Sequence, residues 1–120
     1  MRICSGIQPS GKLHLGNYFG ALRNWLQLQD EGNECYFFIA DLHAHTQPVN
    51  PTQLSQCIVE LAATLLAIGL NPEKVTLFVQ SSVPAHTQLA WVLSCLAPFG
   101  EMERMIQFKE KVEHNPNAVN

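Results

Sequence analysis

The run Cys35-Tyr36-Phe37-Phe38-Ile39-Ala40 is apolar throughout, of strand length, and shows no polar alternation. A strand with one wet face alternates with period two, so an unbroken run suits a parallel strand covered on both faces. Two further short apolar runs, Ile3 to Ile7 and Val75 to Val79, lie before and after it, and each of the three leads into residues at helical spacing. After the first come Tyr18, Ala21, Leu22, Trp25, Leu26 and Gln29, stopped by the polar Asp30-Glu31-Gly32-Asn33. After the second, Asn50 is a cap with Pro51 in the first turn, Leu54, Ile58, Leu61, Leu65 and Ile68 share one face, and Gly69 and Pro72 close the helix. The third strand predicts a helix from about Pro84 to Ala97. Strand and helix repeated three times predict an α/β fold, a parallel sheet with right-handed crossovers. In such open sheets ligands bind beyond the carboxyl ends of the strands, which places the loops after Ile7, Ala40 and Val79 at the site.

The first of those loops, Gln8-Pro9-Ser10-Gly11-Lys12-Leu13-His14-Leu15-Gly16-Asn17, joins a strand to a helix start that carries an imidazole, a glycine and an amide. A helix start turns unpaired N–H groups outward and concentrates partial positive charge, which suits a phosphate. His14 and Asn17 add side-chain donors, and Gly16 between them predicts close approach of a base or ribose to the backbone. The bland alternative is an ordinary connection in which Ser10 and Asn17 act only as caps. Lys12 reads as a solvated surface charge, because the P-loop spacing is not met.

The His14-Leu15-Gly16-Asn17 tetrad resembles the HIGH motif of class I aminoacyl-tRNA synthetases, with Asn17 in place of the second histidine. The wider runs Ser5 to Gly11 and Gly16 to Ala21, then Asp41-Leu42-His43-Ala44, Gln80 to His86 and Gly100 to Lys111, are similar to the bacterial tryptophanyl branch of that family, where the amide is expected. The likeness spans nearly the whole chain. It implies a Rossmann-like nucleotide-binding fold of which residues 1–120 form the first, βαβαβα half of the catalytic domain. The KMSKS loop and the helical anticodon-binding domain would then lie outside this chain. The family's strand order, 3-2-1-4-5, leaves the first strand here as an edge.

The same resemblance implies ATP-dependent activation of L-tryptophan to an adenylate and transfer to tRNA(Trp), with Mg²⁺ arriving on ATP and no protein-bound metal. It assigns Gln8, Pro9, Ser10, His14, Gly16 and Asn17 to ATP, and Cys4, Gly6, Gln8, Ala40 and His43 to the amino-acid pocket. By the same resemblance His14 and Lys111 would be the catalytic donors, with Lys111 reaching the pyrophosphate end. A polar-face role for Arg104, Lys109 and Lys111 is the competing reading, on a terminal helix that partly buries Met102, Met105, Ile106 and Phe108. Trp91, with Leu89, Val92, Leu93 and Leu96, reads as core by spacing, whereas its position in the family suggests a homodimer interface. His86 and His114 are structural or solvent-exposed. Tyrosine in place of tryptophan, or a noncatalytic ATP-binding fragment, are the alternatives.

Asp41-Leu42-His43-Ala44-His45 also looks like the opening of an amidohydrolase metal site, but those enzymes need a barrel of about 250 residues and ligands from later strands. The net charge of −3, with only seven Lys and Arg, argues against a broad nucleic-acid surface, so contact with tRNA is expected mainly elsewhere. No membrane-length apolar run or signal peptide is seen, and Cys4, Cys35, Cys57 and Cys95 lack metal-ligand spacing. They read as reduced, mostly buried thiols of a cytoplasmic protein.

Overall fold

Three parallel strands in the order β1-β2-β3 form the sheet of the computed structural model, which describes residues 1–47 and 50–114. The strands are β1 (Arg2–Ile7), β2 (Glu34–Ile39) and β3 (Val75–Val79). Between the first two lie α1 (Leu15–Asn17), a π-helical turn (Tyr18–Leu22) and α2 (Arg23–Asp30), and between the second pair α3 (Asp41–Ala44) and α4 (Pro51–Ala67). After β3 follow a 3-10 turn (Gln80–Ser82), α5 (Pro84–Leu96), α6 (Phe99–Met102) and α7 (Ile106–His114). The α/β parallel architecture is as the sequence predicts, and among the described residues β1 is at the edge, as the resemblance implies. Residues 1–84 form one compact unit and the residues from Ala85 onward another.

In the first unit the apolar faces of the helical segments meet one side of the sheet. Cys35, Phe37 and Ile39 of β2 are buried with Leu22, Trp25, Leu61, Leu65, Leu70 and Val75 in a single cluster. The Trp25 indole stacks on the Phe37 ring, 4.3 Å between centroids and 3° from parallel. The other side of the sheet, carrying Tyr36 and Phe38, is only half-buried. The double coverage predicted for β2 is therefore met on one face alone, because both crossovers bring their helices to the same side. Tyr36 and Phe38 keep the apolar character that a second layer would use.

The loops that set helix ends follow local chemistry. The Asn50 Oδ1 accepts from the backbone N–H of Thr52 at 3.0 Å and of Gln53 at 3.3 Å, capping α4, with Pro51 in its first turn. Gly69 ends that segment at φ +114°, a conformation that a side chain disfavours. Gln29, only 5% exposed, fixes the next turn: its Oε1 accepts from the Asn71 N–H at 2.7 Å and its Nε2 donates to the Gly69 carbonyl at 3.3 Å.

Three packing expectations change. Only Cys35 of the four free thiols is buried; Cys57 is half-buried, and Cys4 and Cys95 are exposed, because Cys4 faces the open side of the sheet and Cys95 lies on an exposed helix. Trp91 is 73% exposed and is not core; its neighbours Leu89, Val92, Leu93 and Leu96 are exposed as well, so α5 carries more apolar residues than its surroundings cover. The terminal segment is two helices broken at Glu103 to Met105 rather than one, and Met102, Met105 and Ile106 are exposed. Phe108 alone of that group is half-buried, in edge contact with Phe99 at 6.2 Å.

Candidate functional site

The carboxyl ends of the strands are tied together by polar groups. The Ile7 carbonyl accepts from the Ala40 N–H at 2.8 Å, linking the exit of β1 to that of β2. The Asp41 Oδ1 accepts from the Ser81 N–H at 3.0 Å, linking the exit of β2 to that of β3. The three loops picked out by strand polarity are thus held as one edge.

At the exit of β1 the chain reaches α1 through His14, whose extended backbone makes it the N-cap. The imidazole Nδ1 accepts from the Gly16 N–H at 3.1 Å, while the Asn17 Oδ1 accepts from the His14 N–H at 3.0 Å, a reciprocal capping box. With Nδ1 used as the cap's acceptor, Nε2 is the ring nitrogen left to serve a ligand as a donor. The Asn17 oxygen is used by the cap, so its amino group is what it can offer a ligand. The helix continues at once into the π turn at Tyr18–Leu22, a distortion that recurs beside functional sites.

Gly16 has a physical reason within the chain itself. A Cβ built there would lie 2.9 Å from both Nδ1 and Cε1 of His14, so the missing side chain makes room for the imidazole of its own chain. Gly11, by contrast, needs its φ of +120° for the turn and has open space around it.

Gln8, Pro9, Ser10 and Gly11 line a cleft of about 190 Å³ whose other wall is Ala44, Gln47, Asn50, Gln53, Leu54 and Cys57. Its polar lining is amide, hydroxyl and thiol rather than ionic, which suits a neutral polar group such as a ribose or a base edge. His14 lies apart from that cleft, at a wide, shallow depression with Leu13, Leu15, Tyr18, Leu22, Thr64 and Ile68. The residues assigned to ATP therefore divide into a cleft group and a cap group.

Of the residues assigned to the amino acid, Gln8 lines that cleft, Cys4 lies mid-strand opposite Tyr36, and Gly6, Ala40 and His43 lie at or beyond the carboxyl ends of β1 and β2. Cys4 and Gly6 are exposed on the open face, and the Phe38 ring lies over Gly6, so a methyl group there would run into it. Ala40 is buried, and His43 is exposed on α3. Lys111 belongs to α7, and its side chain lies outside the described residues. His43 and His45 are both exposed, and among the described residues no three His, Cys, Asp or Glu side chains gather to hold a metal. No helix among the described residues is long and apolar enough to cross a membrane.

Residues 1–119 match the family described as tRNA synthetases class I (W and Y). The chain belongs to that family. Among its synthetase relatives, the tryptophan–tRNA ligase of Rickettsia conorii is 54% identical over 109 residues, 91% of this chain and 33% of that protein. The tryptophan–tRNA ligase of Caldanaerobacter subterraneus subsp. tengcongensis is 56% identical over 110 residues, 92% of this chain and 33% of that protein. The crystal structure of tryptophanyl-tRNA synthetase from Campylobacter jejuni complexed with ADP and tryptophan superposes with a TM-score of 0.85 at 38% identity, covering 96% of this chain and 36% of that one. The chain spans about a third of the length of the curated relatives that it matches. The likeness also agrees with the Rossmann-like reading of the three parallel strands.

Two features of this chain escaped the sequence. Gln47, Asn50 and Gln53, three residues apart, supply carboxamides to the cleft wall, and that spacing was the available signal. Asp41 showed as part of a motif after an apolar run, but not its burial or its bond to Ser81, a partner 40 residues away.

Proposed function

We propose that this chain is the first half of the catalytic domain of a tryptophan–tRNA ligase. In that reading the whole enzyme condenses L-tryptophan with Mg²⁺-ATP to tryptophanyl-adenylate and passes the acyl group to tRNA(Trp). The observation that carries it is the capped turn at His14, Gly16 and Asn17, which follows the first strand of a parallel sheet and leaves the imidazole Nε2 outside the cap. The relatives' names, and the ADP and tryptophan with which the Campylobacter jejuni enzyme is complexed, support the choice of ligands.

The carboxylate of tryptophan attacks the α-phosphorus in line, and pyrophosphate leaves. No side chain becomes covalent; catalysis comes from holding the reactants and from donors set where charge grows on the leaving group. His14 Nε2–H is such a donor, and Lys111 supplies a second at the pyrophosphate. Gln8, Pro9 and Ser10 form the wall against ATP, with Gly16 and Asn17 beside it, and Cys4, Gly6, Gln8, Ala40 and His43 bound the amino acid. Mg²⁺ enters with ATP, shielding its phosphates. The KMSKS loop and anticodon-binding domain belong to the rest of the protein, which also carries most of the tRNA contact. The exposed apolar residues of α5, Trp91 among them, suit a homodimer contact. The enzyme works in the cytoplasm.

The test is exchange of labelled pyrophosphate into ATP by the protein carrying the full reading frame. Exchange that depends on tryptophan is expected. Dependence on tyrosine would move the assignment within the family, and ATP binding without exchange under either amino acid would make the chain a noncatalytic fragment.

A further inference from the structure

Asp41 is a buried carboxylate, 7% exposed, on the turn that leaves the central strand. It opens α3, a helix of four residues whose N-cap, Ala40, contributes no side-chain hydrogen bond. A helix this short has little stability of its own, since nucleation costs more than one turn returns. Two ties hold it: the Ala40 N–H donates to Ile7, and the Asp41 Oδ1 accepts from the Ser81 N–H at 3.0 Å. The first tie is backbone and would survive most substitutions. The second rests on one side-chain oxygen, the acceptor for the Ser81 N–H. α3 packs against the Gln80–Ser82 turn through this contact, and His43 lies two residues beyond Asp41 on the same helix.

We propose that Asp41 is a positioning residue for the amino-acid end of the site, clamping α3, and with it His43, to the turn after β3 through the Ser81 amide. This rests on the synthetase reading above. The acceptor oxygen matters more than the charge, so asparagine, which keeps an oxygen in the same place, substitutes well, while alanine leaves the Ser81 N–H without its partner. Were Asp41 instead a charged contact to the ammonium of the amino acid, asparagine would fail as badly as alanine.

The experiment compares D41N, D41A, H43A and D41A/H43A in the full-length enzyme by tryptophan-dependent pyrophosphate exchange, with hydrogen exchange at the Ser81 amide as a readout independent of activity. Expected are a rise of about tenfold in KM for tryptophan in D41A with kcat within about threefold, near-normal values in D41N, and a D41A effect that shrinks once His43 is gone. The Ser81 amide should lose protection in D41A and keep most of it in D41N. Equal impairment of D41N and D41A, a loss confined to kcat, additive effects of D41A and H43A, or unchanged Ser81 protection in D41A would each overturn the assignment. A wild-type enzyme with no tryptophan-dependent exchange would instead overturn the functional reading on which it stands.

Discussion

His14 Nδ1 accepts the Gly16 N–H at 3.1 Å, and a Cβ on Gly16 would sit 2.9 Å from that same nitrogen. The backbone N–H at Gly16 orients the imidazole, and the missing side chain leaves the space that the ring fills, so a larger residue requires the ring to move. Gly16→Ala should turn the ring off the cap. A misplacement of about 1 Å at a reacting group can lower a rate by about a hundredfold, and a kcat loss of that order is expected for the full-length enzyme in pyrophosphate exchange. A G16A enzyme with normal kcat and raised KM for ATP would mean that the glycine serves the nucleotide instead.

His14→Ala should remove the Nε2–H donor while leaving the amino-acid residues in place. Loss of one donor aimed at developing charge costs about 10²- to 10³-fold in rate. Steady-state exchange with varied tryptophan should show the fall in kcat with KM for tryptophan nearly unchanged. Equal losses in both would remove His14 from the leaving-group end.

The α/β repeat was readable because its signals are local: apolar runs of strand length, caps, and glycine after a helix. Asn50, Pro51 and Gly69 act as their positions predict, since each needs only its immediate neighbours. The one-sided sheet was not readable, because residue type at Tyr36 and Phe38 records what could cover a strand and not what does. Trp91 fails for the same reason, its helical spacing being equally suited to a core or to a surface awaiting a partner. At the site, the motif pointed to His14 and Gly16, but the link between them is a matter of angle and distance. Asp41 and Ser81 lie 40 residues apart, and only the pairing of β2 with β3 brings them together.

Asn50→Ala tests the cap of α4, the helix that forms one wall of the cleft. The substitution leaves the Thr52 and Gln53 N–H groups without their acceptor and should lower stability by about 1 kcal/mol. Urea unfolding should show a lower midpoint with unchanged slope, and Asn50→Asp or Asn50→Ser should restore most of it. An unchanged midpoint in N50A would mean that water replaces the cap at no cost.

Acid should weaken this fold through two surface carboxylates. Glu34 is held below its ordinary value of 4.5 chiefly by the hydrogen bond from Arg2, 3.0 Å away, and then by the Tyr36 hydroxyl. Asp30 is held below 3.8 chiefly by its hydrogen bond from Lys74, 3.1 Å away, and then by that from Gln29. A carboxyl with a lowered folded-state value adds stability above its unfolded value, and that addition disappears as pH falls through the folded one. The loss therefore belongs below the ordinary carboxylate range, with neutral pH on the plateau. Both groups are exposed, so the effect is small and screened by salt. Urea midpoints followed from neutral to acidic pH should fall in the wild type and fall less in E34Q and D30N, with the difference shrinking at high salt. A fall of equal size in all three proteins would trace the acid sensitivity to other groups.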